Sequence, residues 1–297
     1  MALNFKTLSV RALSALVFVL LLMGCVYWNY ISFTLFFFVV SLMGLNEFYK
    51  IAEKIGAKPF KGLGFILAVI VYLSFIPLYS FLPAPSNTLD MFELEFTTID
   101  KLQKLTLMLV ILGPFLVLTK ALFSKKENSI QNAFYTVGGI IYAVVPFALL
   151  NQTVYYSTDY SIRAFFEPKL ILGIMFLIWS NDTFAYLGGS LFGKNKMIER
   201  VSPGKTWEGT IIGVLITFGL SFTFNYWVFN FEDFTWPLLG AMVPVLATIG
   251  DLIESKLKRE AGVKDSGSIM PGHGGILDRF DSLIFVSPFV FMFFKLF

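Results

Sequence analysis

The chain has 297 residues, of which 56% are apolar and only 14% are charged, and its mean hydropathy is +0.73. This composition excludes an ordinary soluble domain, in which about a quarter of the residues are charged. The small formal net charge of +3 gives no reason to expect a nucleic-acid partner, and the single cysteine, Cys25, excludes an intrachain disulfide. We therefore predict a polytopic integral membrane protein.

Long apolar runs recur along the whole chain. A helix needs about 20 apolar residues to cross about 30 Å of hydrocarbon, and these runs are too long and too little alternating for the strands of a membrane barrel. The predicted fold is therefore all-α, with about nine transmembrane helices. They are predicted at residues 8–26, 31–45, 62–82, 105–123, 133–150, 170–192, 210–229, 236–254 and 276–297.

The distribution of Lys and Arg predicts the orientation of these helices. With the N-terminus in the cytoplasm, 18 of the 23 Lys and Arg residues fall on cytoplasmic segments, as the positive-inside rule requires. The two most basic loops, 193–209 and 255–275, then face the same compartment. We expect a protein of the bacterial inner membrane whose active site faces the cytoplasm.

The two halves of the chain differ in their polar content. Residues 1–160 have almost no polar side chains inside their apolar runs, so we predict a transmembrane scaffold there, with an acidic external loop at 83–104. Residues 161–297 are predicted to form the catalytic region with its cytoplasmic loops. Small residues at four-residue spacing, Gly189/Gly193 and Gly209/Gly213, predict close helix packing in that region.

The sixth run contains a carboxylate near its middle. Asp182 would cost roughly 2.5–3.5 kcal/mol at that depth on insertion scales, so it requires a partner helix or a water-filled cavity. Asn181, next to it, offers a neutral oxygen suited to a hard cation or a hydroxyl. A structural hydrogen bond is the alternative to a functional site here.

The segment Ser202-Pro203-Gly204-Lys205-Thr206-Trp207-Glu208-Gly209 precedes the seventh run. Ser followed by Pro is typical of a helix start, and free N–H groups there, with a lysine, would bind an anion. The Gly-Lys-Thr is not a P-loop, because the earlier glycine of that motif is missing and no strand precedes it. A simple capped helix start is an equally good interpretation.

Two pairs of carboxylates follow at i, i+3 spacing, which puts each pair on one helix face. Asp251 and Glu254 end the eighth run, and Asp278 and Asp281 open the ninth. Acidic oxygens without Cys or clustered His suit Mg²⁺ better than zinc.

Nine Lys and Arg residues in loops 193–209 and 255–275 and at position 279 surround these acids. The only histidine, His273, lies in a Gly-His-Gly-Gly run, where backbone amides can approach a phosphate closely. Ordinary positive-inside charge and a local hydrogen bond of His273 are the alternative interpretations.

Residues 255–281 closely resemble the signature of phosphatidate cytidylyltransferases, also called CDP-diacylglycerol synthases. Segments 180–186 and 202–209 are similar to two further motifs of that family, in the expected order, whereas the first 160 residues match only as apolar spans. Met270 is a small departure in the apolar residue at its position. The matching residues of the signature are Ser255, Leu257, Lys258, Arg259, Lys264, Asp265, Gly267, Pro271, Gly272, His273, Gly274, Gly275, Ile276, Asp278, Arg279 and Asp281.

The resemblance implies a reaction in which CTP and phosphatidate give CDP-diacylglycerol and pyrophosphate, with Mg²⁺ as cofactor and a second, monovalent cation left open. The lipid phosphate would attack the α-phosphorus of CTP in line. The resemblance also implies roles for particular residues. Metal ligands would be Asp251, Asp278, Asp182 and Asp281; catalytic residues Asp278, Asp251, Lys205 and Arg279; substrate-binding residues Asn181, Ser202, Thr206, Glu208, Lys258, Arg259, Lys264, Asp265, His273, Gly274 and Gly275.

Three alternatives remain at this stage. An ether-lipid cytidylyltransferase would use the same chemistry on another tail. A CDP-alcohol phosphotransferase is disfavoured because its Asp-x2-Asp-Gly-x2-Ala-Arg run is absent. An ion-coupled transporter would use Asp182 and the paired acids as a relay. The expected partners are the two substrates and membrane lipid, with no nucleic acid, and the helix-packing glycines leave a homodimer open.

Overall fold

The computed structural model describes residues 5–77, 89–156, 165–224, 234–269 and 274–296, with side chains from 13 onward except 89–100, 156 and 165. Ten helices and two short hairpins make up these residues, which confirms the all-α class. The elements are α1 Phe5–Trp28, α2 Tyr30–Lys54, α3 Lys61–Ser74, α4 Leu89–Leu122, α5 Ser129–Ala143, α6 Val145–Thr153, β1 Tyr155–Tyr156, β2 Phe165–Phe166, α7 Pro168–Phe192, β3 Lys196–Ile198, β4 Ser202–Thr206, α8 Trp207–Phe224, α9 Thr235–Glu260 and α10 Leu277–Leu296.

Six helical segments within the described residues are long and apolar enough to cross a membrane. Two shorter apolar helices, Leu13–Trp28 and Lys61–Ser74, accompany them. The chain is therefore an integral membrane protein, whereas the count of nine spans and the cytoplasmic N-terminus stay predictions.

Two predicted boundaries differ from the structure. The acidic external loop at 83–104 is wrong for residues 89–104, which form the first turns of α4; at 1.5 Å per residue, its 34 residues extend well beyond a 30 Å core. The fifth predicted span is broken into α5 and α6 at Val144. Pro146 causes this break, because proline lacks the N–H and its ring clashes with the preceding turn.

The described chain forms two compact units. One contains the chain through Gly24 together with Pro168–Phe297, and the other contains Cys25–Glu167. In the first unit, α7 packs most extensively against α8, and α9 packs against both α8 and α10.

Glycines explain the tight packing of α7 on α8. A Cβ on Gly209 would lie 2.8 Å from the Cα of Gly189, and one on Gly213 would lie 2.9 Å from the Cβ of Ala185. Side chains larger than hydrogen would push the two helices apart. The predicted close packing at these glycines is confirmed.

In the second unit, buried neutral hydrogen bonds tie the helices together. Tyr72 on α3 donates to the carbonyl of Thr34 on α2 at 2.8 Å, and the Thr34 hydroxyl donates to Asn151 on α6 at 2.9 Å. Tyr49 on α2 donates to the carbonyl of Thr136 on α5 at 2.9 Å. The hydroxyl groups of these apolar helices thus donate to carbonyl or amide oxygens of neighbouring helices.

Candidate active site

A cavity of about 350 Å³ in the first unit is lined by all four carboxylates predicted as metal ligands. Two of them, Asp278 and Asp281, belong to α10, and the other two to α7 and α9. The apolar residues of the lining come from α1, α7 and α10. The lining residues are Asp182, Asp251, Asp278, Arg279, Asp281 and Ser282 on the polar side, and Ala15, Phe18, Val19, Met175, Ile178, Trp179, Phe280 and Leu283 on the apolar side.

Close contact between α9 and α10 brings two of these acids together. A Cβ on Gly250 would lie 2.8 Å from the carbonyl oxygen of Asp281, so only glycine allows this approach. Ser282 donates its hydroxyl to the carbonyl of Ala247 at 3.2 Å. As a result Asp251, which follows Gly250, lines the same cavity as Asp281.

An ion pair links Asp251 to the β3–β4 hairpin. The Lys205 Nζ on β4 lies 2.6 Å from the Asp251 Oδ2, and both side chains are only partly exposed. The other carboxylate oxygen accepts from the hydroxyl of Ser255, one turn later on α9, at 3.1 Å. Lys205 therefore neutralises one acid of the cavity.

The hairpin corrects the prediction of a helix start at Ser202 and Pro203. Ser202–Thr206 is a strand paired with β3, and α8 begins at Trp207. The buried Thr206 caps the helix by accepting from the N–H of Gly209 at 3.2 Å. The N–H of Trp207 donates to the carbonyl of Asn195, so at least two of the predicted free N–H groups already have partners.

Glu208 fixes this hairpin to the start of α8. Its carboxylate accepts from the backbone N–H groups of Lys194 and Asn195 at 3.1–3.2 Å, and from the Asn195 side-chain amide at 2.6 Å. The residue thus positions the hairpin that carries Lys205. A direct substrate contact of Glu208, Ser202 or Thr206 stays a prediction.

Lys258 joins two further acids in a buried cluster. Its Nζ lies 2.6 Å from the Glu254 Oε2 and 2.6 Å from the Asp278 Oδ1. The Glu254 side chain is fully buried, and those of Lys258 and Asp278 are about 10% exposed. An uncompensated buried charge is expensive, so the three groups depend on one another.

Asp278 also organises the loop that precedes α10. Its Oδ2 accepts from the Ser266 N–H at 2.8 Å, the Ser266 hydroxyl at 2.9 Å and the Gly275 N–H at 2.7 Å. Gly274 has a φ of +81°, and a Cβ there would collide with the Asp278 carboxylate. The predicted Gly274 and Gly275 thus shape the loop around a cavity acid.

The remaining predicted cations are placed differently from one another. Arg259 donates to the carbonyls of Val201 at 3.4 Å and Val263 at 3.1 Å, which ties the two basic loops to each other and confirms that they lie on the same side. Arg279 is exposed and lines the cavity. Lys264 and Asp265 are exposed and are not among the residues that line it.

Asn181, like Lys264 and Asp265, is not among the residues that line the cavity. Asn181 is buried and donates toward Pro244 and Thr248 of α9 at 3.3–3.4 Å, so its side chain ties α7 to α9. His273 lies outside the described residues. Substrate roles for both stay predictions.

Comparison with known proteins identifies the family. A family model described as the Cytidylyltransferase family matches residues 9–297, nearly the whole chain. This protein belongs to the cytidylyltransferase family. That membership replaces the transporter hypothesis, and the match includes the helices that the sequence alone could describe only as apolar spans.

Named relatives of this cytidylyltransferase come from staphylococci. A phosphatidate cytidylyltransferase of Staphylococcus aureus (strain COL) is 38% identical over 176 residues, which are 59% of this chain and 64% of the relative. This aligned segment spans slightly less than two thirds of that protein's length. Phosphatidate cytidylyltransferases of Staphylococcus epidermidis and Staphylococcus haemolyticus are 31% and 29% identical, each over 95% of this chain and 96% of the relative.

The donor set of the cavity fits Mg²⁺. Among the described residues, no three His, Cys, Asp or Glu side chains form a group that could hold a metal ion by themselves. Mg²⁺ does not require such a cage, because it keeps several waters and is commonly bound by one or two carboxylates plus substrate phosphates. Asp251 and Asp281, which the close approach of Gly250 to the Asp281 backbone brings to one part of the lining, are the residues that would hold it, with Asp182 and Asp278 on the same lining.

Sequence reasoning missed three contributions to this site. Glu254 was paired with Asp251 by spacing, but it binds Lys258, because residues four apart on a helix are also neighbours. Ser266 holds Asp278, and a serine in a loop gives no signal. The wall from α1 was also missed, because Ala15, Phe18 and Val19 are indistinguishable in sequence from lipid-facing residues.

Proposed function

We propose that this protein transfers the cytidylyl group of CTP to phosphatidate, giving CDP-diacylglycerol and pyrophosphate. The supporting observation is the composition of the cavity, which four carboxylates and Arg279 line together with apolar residues of α1, α7 and α10. An amphipathic substrate matches this division, because its phosphate requires charge-bearing groups while its acyl chains require an apolar surface. The relatives that carry this activity in their names support the same reaction.

The chemistry requires two anionic substrates to meet. At an effective dielectric constant of about 20, two unit charges 4 Å apart repel each other by about 4 kcal/mol. Bound Mg²⁺ would supply neutralisation of the phosphate oxygens and an orientation for in-line displacement. No covalent intermediate with the protein is required, because positioning and charge stabilisation account for most of the catalysis in phosphoryl transfer.

The chain's own residues have distinct tasks in this proposal. Asp251 and Asp281 hold the cation, while Asp278 keeps the loop at 266–275 in place through its hydrogen bonds. Lys205 and Arg279 contribute positive charge for the phosphates, and the apolar wall around Phe18 excludes water from the lipid side. The lipid phosphate oxygen forms the new bond to the α-phosphorus, and the bond to the pyrophosphate oxygen breaks.

Transfer of α-³²P from CTP into chloroform-extractable lipid by the purified protein tests the proposal. We expect label in lipid with phosphatidate and Mg²⁺, none with chelator, and a loss of roughly a hundredfold in Asp278→Asn, because this carboxylate positions Lys258 and the loop at 266–275 beside the cavity. Glu260→Gln is the matched control, because this exposed acid pairs only with Lys256 at 3.7 Å. No transfer by well-folded protein to any phospholipid acceptor would refute the proposal, and transfer that survives Asp278→Asn would overturn the assigned site.

The lipid substrate and the membrane orientation each have a separate test. Competition between acyl and ether-linked glycerophosphates separates phosphatidate from an ether-lipid substrate. Accessibility of a cysteine introduced at Lys264 to a membrane-impermeant reagent, in intact cells and in inverted vesicles, tests the cytoplasmic orientation. We propose the inner membrane as its location on the strength of the bacterial relatives and the apolar helices.

A further inference from the structure

A second cavity, of about 940 Å³, lies in the other unit, and lysines dominate its charged lining. It is formed by the loop between α2 and α3 together with the end of α4. Four lysines line it against a single carboxylate, Glu53, which leaves an excess of three positive charges. The lining lysines are Lys58, Lys61, Lys120 and Lys126.

Buried hydrogen bonds fix the loop that forms the floor of this lysine cavity. The N–H of Lys58 donates to the side chain of Asn132 at 2.6 Å, and the N–H of Phe60 donates to the hydroxyl of Thr136 at 2.8 Å. Both acceptors are buried on α5. The loop therefore has a defined shape before any ligand arrives.

The end of α2 is equally well defined. Gly56 has a φ of +94°, its N–H donates to the carbonyl of Glu53, and the next N–H, of Ala57, donates to that of Ala52. This pair of bonds is a Schellman motif, in which a residue other than glycine would be strained. The last carbonyls of α2 are thus occupied and do not need the lysines as partners.

Three of the four lysines have no carboxylate partner within the described residues. Lys61 pairs with Glu53 at 2.8 Å, whereas Lys120 and Lys126 each hold their ammonium 5.6 Å from the centre of the Phe60 ring. These two ammonium groups are separated by no more than twice that distance, which is comparable to the screening length of about 8 Å at physiological salt. Their mutual repulsion would be relieved by an anion between them.

The surroundings of the lysine cavity identify the kind of anion. The candidate membrane spans Tyr30–Lys54 and Lys101–Leu122 both end at it, which places it at the boundary of the apolar region. Phe123 lines the cavity, and Leu112 and Leu116 lie on the same face of α4, each about half exposed. Leu112 is about 12 Å from Lys120 along the helix, so lysines and an apolar stripe adjoin each other.

We propose that the lysine cavity binds a phosphate group carried by an anionic glycerophospholipid, whose acyl chains lie along the Leu112–Leu116 face of α4. Basic pockets between transmembrane helices commonly bind such headgroups. This site belongs to the other unit from the acidic cavity, and the inference does not rest on the proposed transfer reaction.

Lipid binding to the purified full-length protein tests this proposal. Native mass spectrometry in a neutral detergent would compare phosphatidylglycerol with zwitterionic phosphatidylcholine. We expect phosphatidylglycerol to bind about tenfold more tightly, and a variant with K58Q, K120Q and K126Q to lose this preference, since these lysines supply the positive charge that favours an anionic headgroup. A Lys→Arg version of the same variant should retain it, because the charge is kept.

The control removes the same number of charges from nearby positions, at the end of α2 and just after α4. Lys50, Lys54 and Lys125 are exposed and do not line the lysine cavity, so their replacement by Gln should change the preference less than about twofold. Equal losses in both Gln variants would show diffuse surface charge and refute the site, as would equal binding of the two lipids by the unaltered protein. Displacement of phosphatidylglycerol by equimolar inorganic phosphate would refute the lipid as the source of the phosphate.

Discussion

The two units use polar side chains in opposite ways. In the unit that contains the acidic cavity, ion pairs connect different segments of the chain. Lys205 pairs with Asp251, and Lys258 pairs with Glu254 and Asp278. In the other unit, the buried hydrogen bonds described above are neutral, between hydroxyls, amides and carbonyls, and the ion pair of Lys61 with Glu53 lies at the surface; Glu47 on α2 is the buried charged residue that departs from this pattern among the described residues.

Physical cost explains this difference. A neutral buried hydrogen bond contributes about 1 kcal/mol, whereas burying an ion pair costs several kcal/mol per ion in desolvation before attraction compensates for it. Helix packing alone therefore favours neutral ties, as between Thr34 and Asn151. Charge in the interior of the first unit indicates that those groups have a task other than packing.

The largest expected effect comes from breaking the buried cluster. Lys258→Met leaves Glu254 and Asp278 without their shared cation, and breaking such a pair costs about 3–5 kcal/mol. We expect a corresponding fall in the free energy of unfolding, measured by denaturant titration of the purified protein in detergent. Replacing the Thr34 hydroxyl in the other unit, by Thr34→Val, should cost only about 1–2 kcal/mol.

A double variant tells whether Glu254 serves as a structural counter-ion. With Lys258→Met combined with Glu254→Leu, one of the two unpaired charges disappears and part of the lost stability should return, because apolar residues of similar volume replace buried ion pairs well. Asp278 keeps its donors from Ser266 and Gly275. A double variant as unstable as the single one would contradict the role assigned to Glu254.

Lys205 should separate activity from stability. Its pair with Asp251 is partly exposed, and pairs of that kind contribute up to about 1 kcal/mol to stability. If Lys205 acts on substrate phosphate, Lys205→Met should lower kcat by roughly ten- to a hundredfold with little change in unfolding. Lys256→Met, in the exposed pair with Glu260, should change neither quantity; equal effects of both substitutions would reduce Lys205 to surface charge.

The sequence predicts the acidic cavity better than it predicts the fold around it. Asp182, Asp251, Asp278 and Asp281 could be identified because a carboxylate in an apolar run is costly and therefore informative. The i, i+3 spacing correctly placed each pair on one helix. What spacing could not decide is which neighbour each acid binds, and Glu254 and Asp251 in fact bind lysines from different elements.

Other features leave no trace in one sequence. The Ser202–Thr206 strand was mistaken for a helix start, because Ser-Pro favours both a helix cap and an extended segment, and only pairing with Lys196–Ile198 decides between them. The start of α4 at Leu89 was missed because charged residues can continue a helix beyond the membrane. Hydropathy indicates which part of a helix lies in the membrane, but it does not indicate where the helix begins or ends.

Thr136 provides a test of the neutral hydrogen bonds in the second unit. Its buried hydroxyl accepts from the N–H of Phe60 at 2.8 Å and donates to the carbonyl of Asn132 at 2.7 Å. Thr136→Val is nearly isosteric but leaves the Phe60 N–H unpaired, so unfolding should become easier by about 1–3 kcal/mol. Thr136→Ser keeps the hydroxyl and serves as the control. The rate of cytidylyl transfer should be the same in both variants. A rate loss specific to Thr136→Val would contradict the interpretation that this hydrogen bond serves stability alone.

The smallest expected effect concerns α1, whose chain belongs to the acidic unit only through Gly24. Phe18 lines the acidic cavity and packs edge-on against Phe280, with ring centres 5.6 Å apart. Phe18→Ala removes apolar lining that the acyl chains of the proposed substrate would bury, so it should raise the KM for phosphatidate about fivefold. The KM for CTP should not change, because the apolar wall faces the lipid tails. Leu20→Ala, an exposed residue of α1 that does not line the cavity, is the matched control. An equal rise in both KM values would mean that α1 supports the whole site and does not contact the lipid substrate in particular.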